Sequence, residues 1–242
     1  MLPRFKQLLT LIGRHVSSAN LHRLQLVVNY MRLGRLLAEN NLPVARRVRD
    51  RDAVFAAVAS RVLHKRVLYL EFGVYQGASM RYWSKALKHP KAQLHGFDSF
   101  DGLPEDWCYS RGKGAFNVGG QVPKMDDPRV RFFKGWFEET LPSYQPPEHE
   151  VLVVNMDADL YSSTIYVLRR LRPHIRPGTF LYFDDMGQPE HEPKALFEFL
   201  NEGGLAIRVV CADYSLNNIF FECFEAVGVA RRAPSSAALC RS

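Results

Sequence analysis

Four aspartates in two short segments carry the clearest chemical signal in this 242-residue chain: Asp157 and Asp159 follow one apolar run, and Asp184-Asp185 follow the next. Carboxylates gathered at one spot repel and take up protons unless a cation neutralises them. Hard oxygen donors with no His or Cys nearby favour Mg2+, with Mn2+ as the alternative and zinc disfavoured. Two other readings stay open at this level: direct binding of substrate hydroxyls, and capping of the helix that begins near Ser162, Ser163 and Thr164. A second constellation is Glu71-Phe72-Gly73-Val74-Tyr75-Gln76-Gly77-Ala78-Ser79. Gly73 and Gly77 let a ligand approach the backbone, and the helix start that follows exposes unpaired N–H groups. Val74 and Gln76 break the G-x-G-x-x-G pyrophosphate turn, which favours a nucleoside ligand without a pyrophosphate. Asp98 closes the next apolar run, where a carboxylate can accept both hydroxyl hydrogens of a ribose, a turn cap being the competing role.

These groups need a frame that brings strand ends together. From residue 67 onward, short apolar runs alternate with helical stretches, the pattern of a mostly parallel sheet flanked by helices. Strands are expected at Val67–Phe72, Ala92–Phe97, Arg129–Phe133, Glu150–Met156 and Thr179–Phe183. Two more, Ala206–Val210 and Asn218–Phe224, read as a terminal antiparallel hairpin or neighbouring edge strands. Helices are expected after Ser79 as a cap, over about 163–174, and over 193–200. In a doubly wound sheet the carboxyl ends of the central strands line the ligand crevice, so Asp157 and Asp184-Asp185 become neighbours. The stretch 101–127 is rich in Gly and Pro, longer than an ordinary connection and suited to a substrate lid.

The first 66 residues read as a helical extension. Leu21, Leu24, Val27, Val28, Met31 and Leu36 form a helical stripe, and a second helix is expected from Pro43 through Val62. This segment holds 13 basic and 3 acidic residues, against 19 and 22 in the remainder. No aromatic residue interrupts Arg46-Arg47-Val48-Arg49-Asp50-Arg51 to stack on bases, which makes nucleic acid an unlikely partner. The helices are expected to cover the following domain, residues 67–229, or to pair two subunits as a homodimer, and residues 230–242 read as a loose tail. Four cysteines without metal-ligand spacing and no long apolar run point to a cytoplasmic protein without membrane association.

Five blocks, 71–79, Gly-Phe-Asp-Ser-Phe-Asp-Gly-Leu-Pro (96–104), Lys-Gly-Trp-Phe-Glu-Glu-Thr-Leu-Pro (134–142), Asp-Ala-Asp-Leu-Tyr-Ser-Ser-Thr (157–164) and Phe-Asp-Asp (183–185), resemble those of the macrocin- or mycinamicin-type O-methyltransferases. The resemblance spans about residues 65–225. It implies a Rossmann-like class I methyltransferase fold with a seven-stranded sheet and S-adenosylmethionine as cofactor. It also implies that Glu71, Gly73, Ser79, Asp98 and Ser99 surround the methionine and ribose, that Gly135 and Trp136 lie near the adenine, and that Asp157, Asp184 and Asp185 hold the metal. The expected reaction is methyl transfer to a hydroxyl of a small acceptor, a sugar first, with Asp157 as base and His191 as a weaker candidate. Trp107, Tyr109, Arg111 and Lys113 lie outside these blocks and are the expected readers of the acceptor. A nucleic-acid methyltransferase and a non-catalytic partner-binding protein on the same fold are the alternatives.

Overall fold

The computed structural model describes residues 3–108 and 111–225. The chain runs α1 (Pro3–Gly13), α2 (Ser18–Glu39), β1 (Arg47–Val48), α3 (Arg51–Val62), β2 (Val67–Phe72), α4 (Ala78–Ala86), β3 (Gln93–Asp98) and β4 (Val130–Lys134). It continues through α5 (Phe137–Thr140), β5 (Val151–Met156), α6 (Tyr161–Leu171), β6 (Phe180–Phe183), α7 (Glu192–Asn201), β7 (Leu205–Asp213) and β8 (Ile219–Glu225). The strands form one sheet in the order β1-β7-β8-β6-β5-β2-β3-β4. Every pairing is parallel except the two made by β8, which lies antiparallel between β6 and β7.

Period-two alternation divides the buried side chains between the two faces of the sheet. Leu68, Leu70, Phe72, Leu152, Val154, Met156, Leu181 and Phe183 pack with α6 and α7, while Val67, Tyr69, Val153, Phe180 and Tyr182 pack with α3 and α4. Both faces are covered, which is why β2 and β5 are almost uninterruptedly apolar. The Tyr69 ring stacks on Trp83 at 5.1 Å and Tyr182 meets Phe55 edge-on at 4.8 Å, so aromatic contacts fix the α3–α4 side.

The structure corrects several expectations. Among the described residues the sheet has eight strands rather than seven, because Arg47 and Val48 pair with Ala212 and Asp213. The second N-terminal helix starts at Arg51 and not at Pro43, since Asp50 caps it by accepting the Ala53 N–H at 3.0 Å. The last two strands form a hairpin, as one reading held, but β8 is an interior strand rather than an edge. The helix after β2 has Gly77 in the left-handed conformation as its N-cap, with Ser79 inside its first turn. The expected tail and Tyr109 lie outside the described residues.

Candidate active site

The carboxyl ends of β2, β3, β5 and β6 open into a cavity of about 1080 Å³. Gly73, Asp98, Ser99, Gly135, Trp136, Asp157, Asp184 and Asp185 all line it, so most of the residues singled out in the sequence meet there. Glu71, Ser79 and His191 are not on its wall. The stretch 101–127 lies along the cavity through Trp107, Arg111, Lys113 and Phe116, with the Arg111 guanidinium 5.3 Å from the centre of the Phe116 ring. Its own backbone shapes it: Arg111 N–H donates to the Cys108 carbonyl at 3.0 Å and Leu103 N–H to the Ala115 carbonyl at 2.9 Å.

One wall is built by the turns after β2 and β3. Asp98 accepts the N–H groups of Val74 and Tyr75 on Oδ2, both at 2.8 Å, and that of Phe100 on Oδ1 at 2.7 Å. A carboxylate offers roughly four acceptor sites, so these bonds leave room for a single further hydroxyl on Oδ1, where both ribose hydroxyls were expected. Ser99 Oγ accepts the Asp101 N–H at 3.1 Å and closes the same turn. Gly135 N–H donates to the Asp98 carbonyl at 3.0 Å, which brings Trp136, 36% exposed, onto the wall beside Asp98. Glu71 is buried behind this wall, where it accepts the Tyr69 hydroxyl at 3.1 Å; burial pushes its carboxyl up to about 8. Ser79 is likewise buried.

The floor is acidic. One carboxylate oxygen from each of Asp157, Asp184 and Asp185 lies within 4.8 Å of the others. Asp159 also lines the cavity, adopts φ 59° and shares a hydrogen bond with Asp185. Burial, then the neighbouring carboxylates, push Asp157 well up, Asp159 to about 8 and Asp185 to about 6, while burial raises Asp184. Arg51, at the start of α3, acts on Asp184 and Asp157 as a compensating positive charge and Arg111 acts on Asp159, but two guanidinium groups do not balance four carboxylates. An excess of converging hard oxygen donors fits a divalent cation of the Mg2+ or Mn2+ type.

Sequence reasoning missed the residues that hold this floor. Tyr182 hydrogen-bonds Asp184 from the strand below, and Asn217, in the β7–β8 turn, donates to the Asp184 carbonyl at 2.8 Å and to Asp185 Oδ1 at 3.3 Å. Glu192, fully buried at the start of α7, accepts amides from the turns after both β5 and β6. A glutamate directly before Pro193 carries no signal beyond an ordinary helix start. His191 is the N-cap residue of α7; its half-buried ring contacts the Trp107 backbone, and burial lowers its pKa.

The sequence profile described as macrocin-O-methyltransferase (TylF) matches residues 120–218, a stretch that holds Gly135, Trp136 and all four aspartates of the floor. A curated protein from Streptomyces olivaceus, named 8-demethyl-8-(2,3-dimethoxy-alpha-L-rhamnosyl)-tetracenomycin-C 4'-O-methyltransferase, is 32% identical over 136 residues, which are 48% of this chain and 51% of that protein. Over residues 120–218 this chain is similar to the macrocin-type O-methyltransferases. Mycinamicin III 3''-O-methyltransferase from Micromonospora griseorubida is 34% identical over 87 residues, covering 36% of this chain and 33% of that one. The chain thus spans about half the length, or less, of the curated relatives it matches. A solved calicheamicin methyltransferase shares the fold at 20% identity, with a TM-score of 0.52 over 86% of this chain and 94% of that one. The architecture is a Rossmann-like class I methyltransferase fold with an N-terminal helical extension. Among the described residues no helix is long and apolar enough to cross a membrane.

Proposed function

We propose that this chain transfers the methyl group of S-adenosylmethionine to a hydroxyl of a small acceptor, a sugar hydroxyl first, with a divalent cation held by Asp157, Asp184 and Asp185. The observation that carries the reading is the convergence of those three carboxylates within 4.8 Å in the same cavity as Asp98 and Trp136. S-adenosylmethionine supplies an electrophilic methyl, and a cation at this site lowers the pKa of a hydroxyl beside it. Asp98 and Ser99 hold the ribose side, and Gly135 and Trp136 offer a flat apolar surface to the adenine; Gly73 keeps the β2 turn low enough for the ligand to lie over it. Glu71 and Ser79, which the resemblance sets around the methionine and ribose, lie buried off this wall. The acceptor hydroxyl gives its proton to a carboxylate as its oxygen bonds the methyl carbon, the S–CH3 bond breaks and S-adenosylhomocysteine leaves. Asp159 suits this role better than Asp157, which is committed to the cation, or His191, which is off the cavity wall.

A sugar acceptor is supported by the names of the relatives, one of which specifies a rhamnosyl-tetracenomycin. The acidic floor disfavours nucleic-acid phosphates, and unpaired Cys108, Cys211 and Cys223 fit a reducing, cytoplasmic setting. Labelled S-adenosylmethionine, a panel of glycosylated and phenolic metabolites, and arms with Mg2+ or chelator test the reading by product mass. The expected result is one methylated sugar product whose yield falls at least tenfold under chelator. Full turnover under chelator would refute metal assistance, and binding of the nucleoside without transfer to any hydroxyl in the panel would favour the partner-binding alternative.

The N-terminal helices support a homodimer. On α2, Leu21, Leu24, Val27, Val28 and Met31 are 47–70% exposed, and no residue of α1 is buried. Arg32 and Arg35 on α2 are already paired with Glu190 and Glu39, so two such stripes can meet without stranding those charges. The same helix delivers His22 to the cavity and donates from Asn29 to Gln188 at 3.3 Å, so the dimer contact adjoins the site. Sedimentation equilibrium should show a dimer at micromolar concentration and a monomer of unchanged thermal midpoint for the double substitution Leu24→Asp, Met31→Asp. A monomeric wild type removes the homodimer.

A further inference from the structure

The two turns that carry the metal-binding aspartates come from different strands, and something must fix their spacing. Glu192 is placed to do so. Its side chain is 0% exposed at the first position of α7. Oε1 accepts the Ala158 N–H at 3.1 Å, and Oε2 accepts the Asp185 N–H at 3.3 Å. The first amide belongs to the turn after β5, next to Asp157, and the second belongs to a proposed ligand after β6. Asn217, by contrast, reaches only the β6 turn, through Asp184, Asp185 and Gly187.

We propose that Glu192 is a positioning residue that sets the separation of Asp157 from Asp184-Asp185 and thereby the affinity of the site for a divalent cation. The inference rests on the metal reading above. A glutamate suits the task because its two oxygens each accept an amide, one from each turn. The geometry also explains a buried acid that neither faces the cavity nor meets a cationic side chain in its hydrogen bonds. α7 is fixed against α6 by a buried apolar face, Ala195, Leu196 and Phe199 against Val167, Leu168 and Leu171, so the carboxylate is presented from a rigid element. Outer partners of this kind typically govern metal affinity by 10–100-fold.

Glu192→Gln keeps the shape of the side chain and one carbonyl acceptor, but sets an NH2 group against the second amide. The test titrates Mn2+ alone into wild type and Glu192→Gln by calorimetry, and S-adenosylhomocysteine into each in a separate experiment. The expected result is Mn2+ affinity lowered about 10–100-fold, nucleoside affinity within about threefold, and turnover of the variant recovered by excess Mn2+. Glu192→Asp, which is one methylene shorter and spans only one amide, should fall between the two. Equal Mn2+ affinity in wild type and variant overturns the proposal, as does parallel loss of Mn2+ and nucleoside affinity, which marks a residue that merely supports the fold. A wild type that binds no Mn2+ while binding the nucleoside normally instead removes the metal site itself, and the clamp with it.

Discussion

Asp159→Asn is expected to lower kcat at saturating Mn2+ by about 10²–10⁴-fold, the usual contribution of a positioned general base, while nucleoside affinity changes little. The substitution is conservative where the structure makes its strictest demand. Asp159 sits at φ 59°, and Asn accepts the left-handed region as readily as Asp. What is lost is a carboxylate whose pKa burial and then Asp185 have raised to about 8, close to the working pH that suits a base. The raised value also sets the sign of the pH dependence. Below its pKa the group is protonated and cannot take up the hydroxyl proton, so the wild-type rate should fall as pH is lowered, by up to tenfold per unit. Positive charge bound at the neighbouring aspartates shifts that limb downward without reversing it. In Asp159→Asn the limb should disappear, leaving a low, flat profile. Steady-state kinetics at saturating acceptor across pH 6–9 decides the matter: a variant that keeps more than a third of the wild-type kcat excludes Asp159 as base and returns the role to Asp157.

How legible this site was in the sequence depended on whether a feature is local. β2 occupies Val67–Phe72 as expected, because a strand buried on both faces writes its burial into consecutive residues. The ends of β3, β5 and β6 could be placed for the same reason, and the parallel topology then brought Asp98, Asp157 and Asp184-Asp185 to one crevice without any knowledge of contacts. The start of α3 was misjudged because Pro43 and Asp50 are both acceptable starting signals, and only the pairing of Arg47 and Val48 with β7 decides between them. Glu192 and Asn217 stayed invisible because their work is done on backbone amides and carbonyls far away in the chain. A bond from residue 192 to residue 158 leaves no periodicity to read. The stripe on α2 was visible, but whether it covered the domain or faced outward was settled only by the structure, in which Leu33 and Leu37 join the α6–α7 core while Leu24 and Met31 face outward.

Function in this fold depends on how closely the β2 and β5 turns can approach, and the second large effect is expected from closing that gap. Gly73, at φ 88°, lies so close to the next strand's turn that a Cβ built on it would stand 1.7 Å from the Asp157 carbonyl oxygen. Gly73→Ala therefore carries two penalties. A left-handed conformation at a residue with a Cβ costs about 1–2 kcal/mol, and forcing an atom into an occupied volume costs about 1–3 kcal/mol more. The backbone cannot simply yield, since Asp157 N–H is bonded to the Phe72 carbonyl at 2.9 Å and Gly73 N–H to the Phe97 carbonyl at 3.0 Å. Relief must come from moving the β5 turn, which lies between β2 and β6 and so changes the separation of Asp157 from Asp184 and Asp185. The expected outcome is a thermal midpoint lower by about 10 °C, given roughly 2–4 °C per kcal/mol at this size, together with Mn2+ affinity reduced at least tenfold in whatever fraction remains folded. Gly114→Ala isolates the first penalty, because Gly114 has φ 81° with nothing within 4 Å of an added Cβ. It should lose only the conformational part, about 1–2 kcal/mol, and bind Mn2+ normally. Equal losses in the two variants would mean that the β2 and β5 turns do not pack against each other, and the shared crevice for nucleoside and cation would lose its structural basis.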